Sequence, residues 1–123
     1  MKFDEISSRV IGCAIEVHRE LGPGLLESIY EQCLAHELKQ NGVKCVTQMH
    51  FPVRYKGLQL DCGHGIDLLV ENCLIEELKC VESPQPIHEA QILTYMKIAK
   101  INTGLLINFN AKYPRHGIKR FVL

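Results

Sequence analysis

Apolar residues recur at three-and-four spacing from Asp4 to about Glu20, at Ile6, Val10, Cys13, Ala14, Val17 and Leu21, and this period predicts an amphipathic helix. Gly22-Pro23-Gly24 stops it, because proline lacks a backbone donor and glycine reaches conformations closed to other residues. A second helix is predicted from Leu25 to about Gln40, with Leu26, Ile29, Tyr30, Cys33, Leu34 and Leu38 on one stripe and Asn41-Gly42 as its stop. The pattern then turns extended. Lys44 to Met49 and Phe51 to Tyr55 read as strands, and Lys56-Gly57 turns the chain into Leu58 to Asp61, an antiparallel meander leading onward. Ser83-Pro84 and Pro86 prepare a third helix running to about Ala99, with Leu93, Met96 and Ala99 on an apolar face and His88, Gln91 and Tyr95 on another. Thr103 to Asn108 suits a buried strand, and Gly117 to Val122 a closing edge strand.

The stretch from Ile66 to Lys79 breaks the pattern. It reads as two strands joined by a tight turn near Glu71-Asn72, but acids and a lysine stand where a core strand would be apolar. Alternation by two puts Ile75, Glu77 and Lys79 on one face of the second strand and Leu74, Glu76 and Leu78 on the other. A three-residue turn over 71–73 sets Val70 opposite Leu74 and Asp67 opposite Glu77, gathering two carboxylates and an ammonium at one spot. A two-residue turn would set Asp67 opposite Glu76 instead, so both glutamates stay in view.

Composition narrows the rest. The chain has 123 residues, 46% hydrophobic and 23% charged, which suits one domain over 1–123 that buries roughly 65% of its unfolded surface. Fourteen basic and fourteen acidic residues cancel, so no global field draws nucleic acid or an anionic membrane to the whole molecule. No apolar run approaches the roughly 20 residues that span a bilayer, and no membrane partner is expected. The six cysteines form no C-x-x-C pair and follow no signal peptide, which points to free thiols in a reducing cytoplasm, with Cys13, Cys33 and Cys73 at buried positions.

Asp67, Glu77 and Lys79 carry the strongest chemical signal. A hard cation binds through one or two carboxylates while keeping waters and room for a phosphate, and a lysine two residues on orients or deprotonates the attacking water. Against this stands a plain surface hairpin with ordinary charges. Ionised groups in so apolar a strand cost free energy unless paired or liganded, however, and such violations of local rules tend to mark sites. Glu27 borders the second helix's apolar stripe near its start, where the dipole favours a carboxylate, and a solvated first-turn acid is the bland alternative. Gln91 could reach a phosphate or a metal-bound water. Cys62-x-His64 lacks a matching second pair for zinc, no nucleophile motif surrounds any cysteine, and no Gly-rich phosphate loop joins a strand to a helix. Lys97, Lys100, Lys112, Arg115, Lys119 and Arg120 make the C-terminal third locally basic, either a phosphate-contacting or merely a solvated surface.

These residues resemble the GxxExxY protein family, small members of the PD-(D/E)xK nuclease-like superfamily, over nearly the whole chain. The naming motif stands as Gly24-Leu25-Leu26-Glu27-Ser28-Ile29-Tyr30, preceded by Val17-His18-Arg19-Glu20-Leu21-Gly22-Pro23 and followed by Tyr55-Lys56-Gly57. Asp67 and Glu77-Leu78-Lys79 match the nuclease-like signature, and His88-Glu89-Ala90-Gln91 with Tyr95 matches the later helix motif. The resemblance implies an α/β (α+β), restriction-endonuclease-like fold: a mixed central sheet flanked by helices, two N-terminal and one after the core hairpin. It implies that Asp67 and Glu77 ligate Mg²⁺ (or Mn²⁺) with the Leu78 carbonyl, that Lys79 acts on the water, that Glu27 completes the acidic shell and that Gln91 supports them. Two positions depart from the family. Members usually carry an arginine where this chain has Gly65, which removes a bidentate phosphate or carboxylate partner, and an apolar residue where it has Glu76.

The leading expectation is therefore a Mg²⁺-dependent nuclease acting on the phosphodiester bonds of DNA or RNA. A catalytically inactive module on the same fold, serving nucleic-acid binding or protein assembly, is the alternative. A homodimer built on a sheet edge or apolar patch, with a merely structural acidic cluster, is the third reading.

Overall fold

The computed structural model describes residues 3–60 and 65–123. Two helices, α1 (Phe3–Leu21) and α2 (Glu27–Gln40), precede strands β1 (Cys45–Met49), β2 (Val53–Tyr55), β3 (Leu58–Leu60), β4 (Ile66–Val70) and β5 (Leu74–Lys79). Helix α3 (Pro86–Ala99), β6 (Thr103–Asn108), a 3-10 turn (Pro114–Gly117) and β7 (Ile118–Val122) complete the chain. Five strands form one mixed sheet in the order β1-β4-β5-β6-β7, and the only parallel pair described, β5 with β6, is joined through α3. Parallel neighbours need such a crossover, which is why the proline-primed helix falls between those two strands. Among the described residues no helix is long and apolar enough to cross a membrane.

The sheet is covered on both faces. Ile6, Val10, Cys13, Ala14 and Val17 of α1 and Tyr30, Leu34 and Leu38 of α2 pack with Leu68, Val70, Leu74, Leu78, Leu105 and Ile107 in one core. On the other side Ile92 and Met96 of α3 pack with Leu69, Ile75, Leu106 and Phe121. The helical expectations hold with two adjustments. Leu26 precedes α2 as its N-cap and is 72% exposed, and the stripe that α2 buries is Tyr30, Leu34 and Leu38, with Ile29 left outside. On α3 the deepest apolar residues are Ile92 and Met96, while Leu93 and Ala99 are half-buried.

The expected meander is corrected. β1 pairs directly with β4, Met49 facing Ile66, while β2 and β3 pair only with each other as a separate two-stranded ribbon. The continuous apolar run of β4 explains why: a strand buried on both faces, with pattern Ile66-Asp67-Leu68-Leu69-Val70, belongs at the sheet's interior, whereas β2 and β3 are exposed throughout. Asp61 and the Cys62-x-His64 pair lie outside the described residues. Cys13, Cys33, Cys45, Cys73 and Cys80 are free, Cys13 buried and Cys33 and Cys73 half-buried.

A candidate metal-dependent active site at the end of the central hairpin

The β4–β5 turn holds three residues. Val70 faces Leu74 and Leu68 faces Glu76, so the register carries Asp67 opposite Glu77 and excludes the two-residue alternative. Glu71 and Asn72 both take left-handed backbone conformations, with φ of 50° and 56°, and the Cys73 N–H closes the turn on the Val70 carbonyl at 3.0 Å. Glu71 also accepts from the Lys44 N–H at 3.0 Å, tying the turn to the start of β1. A slip by one residue would send Glu77 into the core and Glu76 to the site, so this turn decides which acid is functional.

Asp67 and Glu77 are bound to each other's strand. The Leu78 N–H donates to Asp67 Oδ2 at 2.8 Å, and the Asp67 N–H donates to Glu77 Oε1 at 3.1 Å. They share a cavity of about 230 Å³ with Glu27, Gln48, Gly65, Lys79, Gln91 and Tyr95. Lys79 Nζ donates to Gln91 Oε1 at 3.3 Å, and Gln91 Nε2 donates to the Tyr95 hydroxyl at 3.4 Å, so α3 fixes the ammonium from the side. The structure thus brings Asp67, Glu77, Lys79, Gln91 and Glu27 together. Leu78 contributes only backbone, since its side chain lies in the core at 1% exposure. His88 caps α3, its Nδ1 accepting from the Gln85 N–H at 2.9 Å, and it lies near enough to Glu27 to oppose that carboxyl's upward shift.

The GxxExxY stretch divides into three jobs. Gly24 has φ of 104°, which side-chain-bearing residues rarely adopt, and its N–H donates to Asn110 Oδ1 at 3.0 Å. Tyr30 is fully buried, stacks on Phe109 with centroids 4.5 Å apart, and its hydroxyl bridges the loop, donating to the Gly22 carbonyl and accepting from the Leu25 N–H. Between these anchors Glu27 begins α2 and enters the cavity. Gly and Tyr hold the helix start, and Glu supplies the charge.

Two participants were not read from the sequence. Gln48 Nε2 donates to Glu31 Oε1 at 2.6 Å and to Asp67 Oδ1 at 3.1 Å, bridging α2 and β4 across the pocket. Its backbone takes φ of 50° inside β1, yet the register is the same on either side, Thr47 with Leu68 and Met49 with Ile66. A left-handed residue in a strand is uncommon and gathers at functional positions, but a strand pattern gives no sign of it. Glu31 lies on α2 one turn after Glu27.

The electrostatics of the pocket follow from crowded acids. Burial, followed by repulsion from Asp67, pushes Glu77 up to about 8, and Lys79 opposes the rise. Burial also raises Glu27 and Glu31, partly offset by Lys79 at Glu27 and by the Gln48 hydrogen bond at Glu31. Tyr95 is raised by burial and then by Glu77 and Asp67. A cation would relieve this repulsion, and facing carboxylates on paired strands suit one. Among the described residues no three His, Cys, Asp or Glu side chains converge closely enough to hold a metal by themselves. The donor set therefore fits a hard divalent ion that takes one or two carboxylates and keeps most of its waters, not a fully protein-ligated one.

Gly65 has a packing reason. It is buried, and a Cβ there would meet the Gln48 carbonyl carbon at 3.0 Å, His50 Nε2 at 3.1 Å and the Gln48 oxygen at 3.2 Å. The unusual backbone of Gln48 brings β1 close at this point, so a side chain at position 65 would press on the element that orients Asp67. The basic C-terminal residues are spread over α3 and its C-cap Lys100, the segment before the 3-10 turn, that turn and β7, and Lys119 is engaged by Glu89 at 2.7 Å.

A family model described as the PD-(D/E)XK nuclease superfamily matches residues 4–121. No curated protein and no solved structure matches the chain.

Proposed function

The chain belongs to the PD-(D/E)XK nuclease superfamily, and from that premise we propose that it hydrolyses phosphodiester bonds of nucleic acid in the Asp67–Glu77–Lys79 pocket. The observation that carries this reading is the mutual clamp of Asp67 and Glu77 beside Lys79 in one cavity. Superfamily members generally use divalent metal ions, and Mg²⁺ or Mn²⁺ suits this donor set. Asp67 and Glu77 would hold the ion, with the Leu78 carbonyl, and Glu27 would complete the acidic shell. When bound, such an ion would supply Lewis-acid chemistry for phosphodiester hydrolysis. Lys79, steadied by Gln91, orients the attacking water, and Tyr95 keeps Gln91 in place. Gln48 holds Asp67 against Glu31, which fixes the carboxylate's angle before any ion arrives.

Membership of the GxxExxY group is the narrower reading, supported by the separate tasks of Gly24, Glu27 and Tyr30. A single domain over residues 1–123, acting on DNA or RNA in a reducing cytoplasm, completes it, in keeping with five free cysteines among the described residues.

Calorimetric titration of Mg²⁺ and Mn²⁺ into metal-free protein, wild type beside Asp67→Ala, tests the site before the substrate. Saturable binding that the variant loses, followed by cleavage of single- or double-stranded DNA or RNA, supports the nuclease. Absence of binding at millimolar metal assigns the domain to the non-catalytic alternative.

A further inference from the structure

The β2–β3 ribbon is unexplained by the core or by the pocket. Val53 pairs with Leu60 and Tyr55 with Leu58, so these four side chains share one face, while Arg54 and Gln59 share the other. The apolar face is open, with Val53 39%, Tyr55 61%, Leu58 57% and Leu60 36% exposed. A two-stranded ribbon is marginal by itself, and one that keeps its apolar face in water has a use for it.

Its location is specific. β1 and β4 end their pairing at Met49 and Ile66, and the ribbon is the excursion between them. Gln48, just inside that junction, and Gly65, just outside it, line the cavity that holds Asp67 and Glu77. Met49 and Phe51 pack against the α3-side core and anchor the chain leading into the ribbon. Residues 50–60 contain His50, Arg54 and Lys56 and no acid, in a chain with formal net charge +0. The Lys56 ammonium lies over the Tyr55 ring, 5.3 Å from its centre, putting a cation on one side of an exposed aromatic at the tip.

We propose that this ribbon is a nucleic-acid-binding arm: its apolar face, with Tyr55 as platform, receives the bases of an unpaired strand, while Arg54 and Lys56 take phosphates flanking the one at the pocket. The inference rests on the nuclease reading and adds the substrate's form. Aromatic platforms beside cations bind single strands without sequence preference, because every base has a π-face and only unpaired bases present it. A second copy of the chain is the weaker occupant. Four partly exposed side chains fall short of the roughly 800 Å² per partner in a standard interface, and a basic tip facing its own copy repels.

The test is fluorescence anisotropy with labelled oligothymidylate and oligouridylate of about 20 nucleotides and a fully paired duplex of equal length, with chelator present so that nothing is cut. Tyr55→Ser is expected to weaken single-strand binding about tenfold or more. The double change Arg54→Gln, Lys56→Gln is expected to lower the slope of log affinity against log salt by about 1.4. Both should leave the melting temperature and Mg²⁺ titration unchanged. Ribbon variants that bind like wild type, or a duplex bound as tightly as the single strand, overturn the arm and leave the nuclease reading standing. A wild type that binds neither the single strands nor the duplex overturns the arm, and the nuclease reading then stands or falls on the Mg²⁺ titration and the cleavage assay. If Leu58→Ser turns a dimer into a monomer in gel filtration, the face belongs to a second copy and the proposal fails.

Discussion

Glu76 and Glu77 are consecutive residues of β5, both buried, and burial followed by repulsion from Asp67 pushes each up to about 8. They nevertheless sit in unlike surroundings. Glu77 faces a polar cavity, accepts the Asp67 N–H and has Lys79 close enough to lower its pKa. Glu76 lies at 0% exposure between Leu74 and Leu78 under α1 and α2, and among the described residues neither of its carboxyl oxygens has a hydrogen-bond partner. The nearby thiols of Cys13 and Cys45 are raised first by burial, with a further contribution from Glu76 that at Cys13 follows that of Glu37. A perturbed carboxyl is thus no indicator of function without its neighbours: one glutamate faces groups that a ligand can complete, and the other carries only the cost of burial.

The sharpest way to break this comparison is to remove each acid in turn. Asp67→Ala and Glu77→Ala should lower divalent affinity and metal-dependent cleavage by more than about 100-fold, while Glu76→Ala should leave metal affinity unchanged in the same titration. Equal loss at both glutamates would mean that the two faces of β5 do not divide the work.

Next in size is a gain of stability. The folded state holds Glu76's proton up to about 8, whereas the unfolded chain releases it near the ordinary carboxylate value. Between those two pH values the folded state binds more protons than the unfolded one, so stability falls as pH rises and the full penalty applies above about 8. Glu76→Leu should therefore stabilise the protein by on the order of 3 kcal/mol at pH about 9 and by clearly less near pH 4 to 5, as read from urea melts. A gain that does not depend on pH would show that packing rather than charge is the defect.

Glu77 makes the opposite prediction about pH, because a ligand can replace its proton. Metal and proton compete for it below about 8, so affinity for Mg²⁺ should weaken up to tenfold for each pH unit of acidification. In Glu77→Gln that dependence should flatten along with the affinity itself, and calorimetry at several pH values reads both. A wild type with pH-independent affinity would remove Glu77 from the ligand set.

The hairpin was the most legible part of the sequence. Val70 and Leu74 make an apolar pair beside a turn, and once that pair is fixed, alternation alone puts Asp67 beside Glu77 and sends Glu76 inward. Helices α1, α2 and α3 were legible because their period is long and their breakers, Gly22-Pro23-Gly24 and Ser83-Pro84, are strong. The ribbon's separation was not, because short alternating strands carry no record of which neighbour they pair with, and β1 skips sixteen residues to reach β4. Nor was Gln48. Its role comes from a left-handed backbone that nothing in Thr47-Gln48-Met49 announces, and from Glu31 on a helix that only the fold brings near.

Gly65 carries the smallest effect and concerns the cavity side of the comparison. Family likeness suggests that an arginine there would strengthen phosphate contacts, but the approach of the Gln48 backbone to within 3.0 Å of a Cβ argues otherwise. Backbone cannot swing aside as the end of a side chain can, so the strand must shift, and with it the amide that bridges Glu31 and Asp67. Gly65→Ala should cost about 1 kcal/mol of stability, and Gly65→Arg at least as much with no rise in cleavage. If Gly65→Arg instead raises activity at unchanged stability, then β1 yields more readily than its contacts imply, and Gln48 is a tenant of the pocket and not one of its supports.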